Sequence, residues 1–415
     1  MANPVQVRVF QKQERLKSGQ PALFWSEDCR LFEAATAFIN ERYCRKGSRT
    51  SPRTWKNVAE AIAFWTNWCV AASLDLRMAG RGDLSDYAEA LRGAISPHTK
   101  EPYSTGTIAA RLEAVIEFYD YGRQKDFYAG DVASLKAMLE NRQETIDAEP
   151  ANELVPVRRP AKNAIRPFRQ HDLRALLHCL GPTPSEQLAG DSRLCRDRVM
   201  ADWGWVVGLR LSEIVSLELP QLQVLWPDKD YPFAQQAIEV LGKGNKRRYV
   251  TVPNWLVLDT LMYIEHERAT VLDVSRVPRR RESDKVFLSN TRARQPGTPI
   301  GARRFEQIIE TACLKANITR LKTKTDPYSH EISRHLVANH NVHDLRHTYA
   351  VYTYWADVAN GNAEPWKLIQ SQLGHNSLET TIKTYLRFVS LFGPAGRFDI
   401  RTLAGLGGHH GDEEE

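Results

Sequence analysis

The chain lacks the features that mark several large classes of protein. Its 415 residues include only six cysteines, and none of them forms a Cys-x-x-Cys pair. Neither a disulfide framework nor a cysteine zinc site is therefore predicted. No stretch approaches the roughly 18 apolar residues of a membrane helix, and the first residues lack the apolar core of a signal peptide. These absences predict a cytoplasmic protein with reduced cysteines and no membrane partner.

Motifs for ATP and for zinc are also missing. The segment Gly242-Lys243-Gly244 does not have the glycine-to-lysine spacing of a phosphate-binding loop. His330-Glu331 begins like a zinc-protease motif, but His335 comes one residue too late to complete it. We therefore expect no metal and no nucleotide cofactor.

The charge balance is mildly basic. With 56 basic and 50 acidic residues, the formal net charge is +6. Such an excess weakly favours an anionic partner such as DNA, although many proteins of similar charge bind nothing anionic. The length alone allows two or three domains.

Apolar periodicity predicts a mainly α-helical protein with a small antiparallel β-hairpin. Ser26, Ser51 and Ser212 are the expected caps of three of its helices. β-Prone runs at 238–241 and 249–252 surround a Gly-Lys-Gly-Asn turn and predict the hairpin. Residues 321–340 are polar and read as an insertion or a long loop.

The same patterns divide the chain into five segments. Four prolines between residues 150 and 167 predict an extended linker. The predicted segments are an N-terminal extension (1–25), a helical domain (26–143), the linker (144–166), a second domain (167–392) and a tail with an acidic end, expected to be disordered (393–415).

Polar residues suited to phosphate chemistry recur through the second domain. Arg210 follows a glycine, and Glu213 either pairs with it at the surface or fixes its guanidinium from behind. Lys243 lies at the hairpin turn, with Lys246 as the fallback. His343 and Arg346 share a helical face, and Tyr385 follows His375 by ten residues.

Together these motifs resemble the tyrosine recombinase, or phage integrase, family. The similarity is strongest at 208–217, 343–349 and 373–385, and it extends over roughly 27–390. It implies a two-domain DNA clamp of Cre-like or Xer-like layout, in which 26–143 is the SAM-like core-binding domain. The gap of ten between histidine and tyrosine departs from the nine of many relatives.

The resemblance implies a site-specific recombinase that works through a 3′-phosphotyrosyl intermediate. Tyr385 would attack the phosphate, Lys243 would protonate the leaving oxygen, and His343 would help to take the tyrosine proton. The remaining catalytic candidates are Arg210, Arg346 and His375, with Glu213 behind them. No cofactor or metal is implied.

The same resemblance implies partners. They are double-stranded DNA carrying specific sites, a homo-tetramer on synapsed DNA and an accessory directionality factor, in a nucleoid-associated location. Basic residues of the first domain and the hairpin turn either form a solvated surface or contact phosphates: Arg49, Arg53, Lys56, Arg111 and Lys246. A type IB topoisomerase and a catalytically silent DNA-binding regulator are the alternative functions.

Overall fold

The computed structural model describes residues 5–10, 18–45, 50–97, 99–140, 166–242, 247–275, 282–325, 332–375 and 377–389. These residues divide into two compact units, the first within 5–140 and the second within 166–389. Helices dominate both units, and every sheet among the described residues has two antiparallel strands. The predicted fold class of a mainly helical protein with a small antiparallel hairpin is confirmed.

The first unit combines a β-hairpin with five helices. Its elements are β1 (Val5–Phe10), β2 (Gln20–Trp25), α1 (Glu33–Ile39), α2 (Pro52–Ala71), α3 (Arg81–Gly93), α4 (Thr105–Gln124) and α5 (Val132–Glu140). A π-helical turn at Asn40–Cys44 extends α1. Ser51 caps α2 as predicted, because its hydroxyl accepts a hydrogen bond from the Thr54 amide.

The N-terminal segment differs from the short polar extension that the sequence predicted. β1 and β2 pair in register and pack against α2, and the Leu23 side chain is fully buried. The first helix also begins later than expected, after Phe32 rather than Ser26. Burial of Val5 and Leu23 makes the hairpin part of this unit's core.

The second unit contains ten helices and two hairpins among its described residues. Its helices are α6 (Gln170–Leu180), α7 (Arg196–Trp205), α8 (Leu211–Ser216), α9 (Leu219–Gln223), α10 (Asn254–Tyr263), α11 (Ala269–Asp273), α12 (Ala302–Lys315), α13 (Val342–Ala359), α14 (Pro365–Leu373) and α15 (Leu378–Val389). Its strands are β3 (Gln235–Leu241), β4 (Arg247–Pro253), β5 (Thr319–Thr325) and β6 (Ile332–Ala338). A 3₁₀ turn at Pro184–Glu186 and a π-helical turn at Ile264–Arg268 complete this inventory.

Packing around α13 positions the site. This helix contacts α7, α12, α14 and α15, and α14 also packs against β4. The predicted hairpin is confirmed as β3 and β4, whose inward residues join the core. The expectation of a loop or insertion at 321–340 needs correction, because most of this segment forms the β5–β6 hairpin.

Several calls lie outside the described residues. They are the linker residues 144–165 and the tail with its acidic end at 393–415. No helix in the described ranges is both long enough and apolar enough to cross a bilayer.

Candidate active site

The turn at Gly208 positions Arg210, the first arginine of the site. Gly208 has a φ of +73°, and an added Cβ would lie 2.7 Å from the Tyr349 ring, so both conformation and space require glycine there. The turn places Arg210 at the N-cap of α8. Ser212, the predicted cap, lies within the helix instead, and the Glu213 carboxylate accepts a hydrogen bond from the Arg210 amide at 2.8 Å.

Glu213 is the buried hub of an arginine network. Its carboxylate accepts hydrogen bonds from Arg210 Nη1 at 3.0 Å and from Arg248 Nη1 and Nη2 at 2.6 and 3.0 Å. Burial alone would raise the pKa of Glu213, but these donors and the Arg210 amide outweigh it and lower the pKa. A charged carboxylate therefore fixes two guanidinium groups, that of Arg248 through two hydrogen bonds and that of Arg210 through one.

Arg346 and Arg210 converge on one backbone carbonyl. Arg346 donates from Nη1 to Gly208 O at 2.5 Å and from Nη2 to Leu373 O, and Arg210 Nη2 donates to the same Leu373 oxygen at 3.2 Å. Gly374, in the left-handed conformation, ends α14 directly after that carbonyl. The two guanidinium groups are thus held side by side.

The charge of Arg346 is maintained in a buried position. Its side chain is almost fully enclosed, and burial together with the nearby Arg210 lowers its pKa to about 9. This value still leaves the guanidinium protonated at neutral pH. Two adjacent positive charges, each with unused N–H donors, suit an anionic phosphate group.

Tyr385 is sealed against His347. The tyrosine is 1% exposed, and its hydroxyl lies 2.9 Å from His347 Nδ1. Burial raises the pKa of Tyr385 to about 12, although Arg346 and Arg210 oppose this shift. Burial also lowers the pKa of His347 to about 3, with His343 and Arg346 adding to the effect. A neutral imidazole with an unprotonated Nδ1 accepts the hydroxyl proton in this geometry.

His347 was not singled out from the sequence. Its signal was its position four residues after His343 on one helix, which places both rings on the same face of α13. Their centroids lie 4.6 Å apart in an edge-to-face arrangement. The sequence analysis assigned the tyrosine proton to His343, but the hydroxyl is hydrogen-bonded to His347, and His343 keeps part of its surface in contact with solvent.

The two predicted histidines adjoin the pair formed by His347 and Tyr385, His343 next to His347 and His375 next to Tyr385. Asn341 caps α13 by accepting a hydrogen bond from the His343 amide at 2.7 Å. Burial and then the Arg346 charge lower the pKa of His343. The His375 ring is nearly parallel to the Tyr385 ring, with centroids 6.2 Å apart, and its Nδ1 lies 2.9 Å from Thr381 Oγ1. Burial and the arginines lower the pKa of His375 to about 4.

The structure brings most of the predicted catalytic residues together. Arg210, Glu213, Arg346, His375 and Tyr385 come together, and His343 lies at their edge. Arg248, which the sequence analysis did not select, joins them through Glu213 and through Gln372 O at 3.2 Å. The residues outside the described part of the chain are Arg49, Lys243 and Lys246.

The remaining predicted DNA-binding residues occupy different surroundings. Arg53 and Lys56 are exposed at the start of α2, where Lys56 lies 3.6 Å from Glu60. Arg111 is half-buried between the rings of Phe64 and Tyr103, with its guanidinium carbon 4.1 and 4.3 Å from their centroids. Stacking holds Arg111 in place, and its contact with DNA stays a prediction.

A separate basic cleft of about 1090 Å³ lies within the second unit. None of the predicted site residues lines it. Its cationic lining is Arg193, Arg196, Arg292, Arg294, Arg304 and Lys315. The arrangement described above is a separate cluster of charged and aromatic groups at the meeting of α8, α13, α14 and α15.

Comparisons with known proteins place the chain among tyrosine recombinases. The chain is 25% identical over 186 residues to tyrosine recombinase XerD of Staphylococcus saprophyticus and 31% identical over 186 residues to tyrosine recombinase XerC of Listeria monocytogenes. Each match covers 45% of this chain and 48% of the relative, so the chain spans about half the length of the curated relatives it matches.

A solved structure shares the fold. It is a XerH site-specific recombinase bound to palindromic difH substrate in a post-cleavage complex. It has 17% identity and a TM-score of 0.51, over 81% of this chain and 77% of the other. The model of the phage integrase family matches residues 166–389, which contain every member of the cluster. The chain belongs to the phage integrase family.

Proposed function

We propose that this protein is a site-specific DNA recombinase that cleaves and rejoins duplex DNA through a 3′-phosphotyrosyl bond to Tyr385. The observation that carries the proposal is the convergence of Arg210 and Arg346 on one carbonyl in the cluster that contains a histidine-bonded tyrosine. A phosphodiester is an anion that gains charge on its non-bridging oxygens during attack, and paired guanidinium groups stabilise that charge.

The proposed reaction conserves the number of phosphodiester bonds. Tyr385 Oη forms a bond to the phosphorus while the bond to the 5′ oxygen breaks. The leaving oxygen takes a proton from Lys243, and the tyrosine proton passes to the histidines. The reverse step, with a 5′-hydroxyl of another strand as nucleophile, restores the DNA and frees the tyrosine. Energy stored in the phosphotyrosyl bond drives the rejoining.

His347 takes a role that the resemblance had given to His343. Its Nδ1 is the nearest acceptor for the tyrosine proton among the described residues. Because His343 is exposed and packs edge-on against His347, it supplies the path from the buried pair to solvent. His375 donates a further hydrogen bond to the phosphate, and each such donor contributes about 10²–10³ to the rate.

Glu213 and Arg248 act through the arginines. Glu213 fixes the Arg210 guanidinium, and Arg248 neutralises the opposite side of the same carboxylate. Rigid positioning of charged donors before the reaction is what makes them effective in the transition state.

DNA binding and assembly complete the proposal. Duplex DNA is the proposed partner of both units, and its proposed phosphate contacts are Arg53, Lys56, Arg49 and Lys246. Exchange between two duplexes needs four tyrosines, so a homo-tetramer forms on synapsed sites. An accessory directionality factor, a mobile element as the carrier and a nucleoid-associated cytoplasmic location belong to the same proposal.

The experiment is covalent capture. Wild type and Tyr385→Phe are incubated with a fragment pool from the source genome and denatured with SDS, and the attached DNA is sequenced. Adducts at one or few sequences that only the wild type forms are the expected result. Adducts spread over all sequences would instead identify a topoisomerase. Intact binding without adducts would identify a regulator, and persistent adducts with Tyr385→Phe would move the nucleophile elsewhere.

His347→Gln separates proton transfer from binding. We expect normal DNA affinity and a cleavage rate lowered by about 10²–10³ at neutral pH, measured by adduct formation in single-turnover reactions. His343→Gln is the matched control on the same helix face, with a smaller loss expected because this ring does not contact the hydroxyl. An equal or larger loss for His343→Gln would return the tyrosine proton to His343.

A further inference from the structure

The β5–β6 hairpin is a cationic ribbon that the catalytic cluster does not use. Its two seven-residue strands pair from Thr319↔Ala338 to Thr325↔Ile332. They contain four lysines and arginines and no aspartate or glutamate. We call these two strands the ribbon.

Both faces of the ribbon are open to solvent. Residues 320–323 and 332–336 are exposed, although side chains in a strand pair alternate between its two faces. Arg320 lies on one face, and Arg334, opposite Thr323, lies on the other. Leu321 and Leu336 face each other and are 64% and 66% exposed. An isolated two-stranded ribbon gains little stability from such an arrangement, so its exposed side chains indicate a surface that binds something else.

The two arginines of the ribbon, Arg320 and Arg334, are exposed and available for that partner. Among the described residues, no acidic side chain pairs with Arg320 or Arg334. The strands carry only positive charge, and with Asp326 and Glu331 of the joining segment the hairpin keeps a formal excess of two positive charges, which favours an anionic partner. Two antiparallel strands also have the width that the major groove of B-DNA admits, where apolar side chains such as leucine contact thymine methyl groups.

The base of the ribbon is fixed beside the catalytic helix. Arg166 Nη1 donates to Asn339 O at 3.1 Å, and the His340 ring stacks on Phe168 with centroids 3.9 Å apart. Asn341 then caps α13, which carries Arg346 and His347. Seven residues of strand reach at most about 23 Å. DNA that the ribbon touches therefore lies within about seven base pairs of that base, at 3.4 Å per base pair.

From these observations we infer that the ribbon is a second DNA-contact site, which binds duplex DNA next to the cleavage site through its exposed arginines. The inference rests on the proposed function, since DNA at the catalytic cluster places a duplex within the ribbon's reach. The ribbon would then take part in DNA binding, although it belongs neither to the catalytic cluster nor to the predicted DNA-binding residues.

The test measures binding as a function of salt and duplex length. Fluorescence anisotropy is recorded with duplexes that contain the captured site and are extended stepwise on each side. The test variant is Arg320→Gln/Arg334→Gln. A charge-retaining variant, Arg320→Lys/Arg334→Lys, and a location control with two exposed lysines elsewhere in the unit, Lys229→Gln/Lys367→Gln, accompany it.

Each lost phosphate contact lowers the slope of log affinity against log salt by about 0.9. We expect the test variant to lose between one and two from that slope on long duplexes. It should match the wild type on duplexes that end at the cleavage site. The charge-retaining variant should keep the wild-type slope, and the location control should change it little. The rate of adduct formation on the shortest duplex should not differ between the variants.

Three results would overturn the inference. They are a wild-type slope for the test variant at every length, a loss equal to that of the location control, and a loss of self-association in sedimentation with DNA binding unchanged. The last would make the ribbon a protein interface. If the wild type forms no adduct at all, the genomic fragment pool replaces the captured site. The salt slopes then still test the ribbon while the proposed function fails separately.

Discussion

The two hairpins of the second unit have the same secondary structure and opposite surroundings. Each pairs two antiparallel strands of seven residues. The β3–β4 hairpin buries one face, on which Ile238, Val240, Val250 and Val252 are each at most 2% exposed. Among the ribbon residues whose burial is described, neither face is buried beyond the base. A strand pair can therefore serve as a wall of the core or as a projecting surface, and burial rather than hydrogen bonding distinguishes the two.

The buried hairpin contributes directly to the site. Arg248, on β4, enters the unit and binds Glu213 with two hydrogen bonds, whereas the adjacent Arg247 side chain is 73% exposed and pairs with Glu239. Alternation along one strand thus sends one arginine to the catalytic cluster and its neighbour to solvent. Changing the buried and the exposed residue of such a pair one at a time measures how much each contributes to the free energy of unfolding.

The largest effect is expected from Arg248→Met. Removing this partner leaves the buried Glu213 carboxylate undercompensated, which costs about 3–5 kcal/mol of unfolding free energy. The cleavage rate should fall as well, because Arg210 loses its rigid support. Urea unfolding followed by tryptophan fluorescence measures the first effect. Arg247→Met is the control and should cost less than about 0.5 kcal/mol. Equal costs at both positions would refute the assignment of Arg248 to the site.

A smaller effect is expected from truncating one side chain of each hairpin. Val252→Ala removes two buried methyl groups from the core and should cost about 2 kcal/mol of unfolding free energy. Leu336→Ala changes an exposed side chain and should stay within about 0.5 kcal/mol. The same urea titrations provide both values. A large cost at Leu336 would mean that the ribbon is packed in solution and would remove the contrast between the two hairpins.

An effect of similar size, which appears only when the pH is changed, is expected at His347. Because burial lowers the pKa of His347 to about 3, the unfolded chain binds a proton below about pH 6.5 that the folded chain does not. The unfolding free energy therefore falls as the pH drops from about 6.5 toward 3, by about 1.4 kcal/mol per pH unit for one such group. Between pH 7 and pH 5, His347→Gln should lose about 2 kcal/mol less than the wild type.

The matched control for that measurement is His335→Gln, which changes an exposed histidine of the ribbon. Its loss of stability between pH 7 and pH 5 should equal that of the wild type. Equal losses for all three proteins would show that His347 is not held neutral by burial. This outcome would also weaken its role as acceptor of the tyrosine proton.

The sequence predicted those elements in which burial requires a regular pattern of apolar residues. Alternating apolar residues at 238–241 and 249–252 identified the buried hairpin, and the motifs identified Arg210, Arg346, His375 and Tyr385 as members of one site. The ribbon was missed because a strand pair exposed on both faces has no reason to alternate apolar and polar residues. At the N-terminus the alternation of Val5, Val7 and Val9 with polar residues indicates a strand, but the sequence analysis interpreted this segment from its overall polarity alone.

The contacts of the site were less accessible to sequence reasoning. Arg248 and Glu213 are 35 residues apart, and only the fold shows that they meet. His347 had a signal in its spacing from His343, yet the choice between the two rings depends on which one α15 approaches. A residue's chemical type follows from its motif, whereas its partner follows from packing.

The enclosure of Tyr385 has a consequence for life inside a genome. A chromosome contains millions of phosphodiesters that a DNA-binding protein contacts non-specifically. A tyrosine that was permanently exposed and reactive would cleave DNA during such non-specific contacts. A phenol that is 1% exposed, with a pKa raised to about 12, is poorly available for such encounters. Under the proposed function, part of the binding energy of a correct site must be used to uncover it. The protein would then discriminate between DNA sequences by coupling recognition of the correct site to exposure of Tyr385. Weak binding to other sequences would leave Tyr385 buried and would not lead to cleavage.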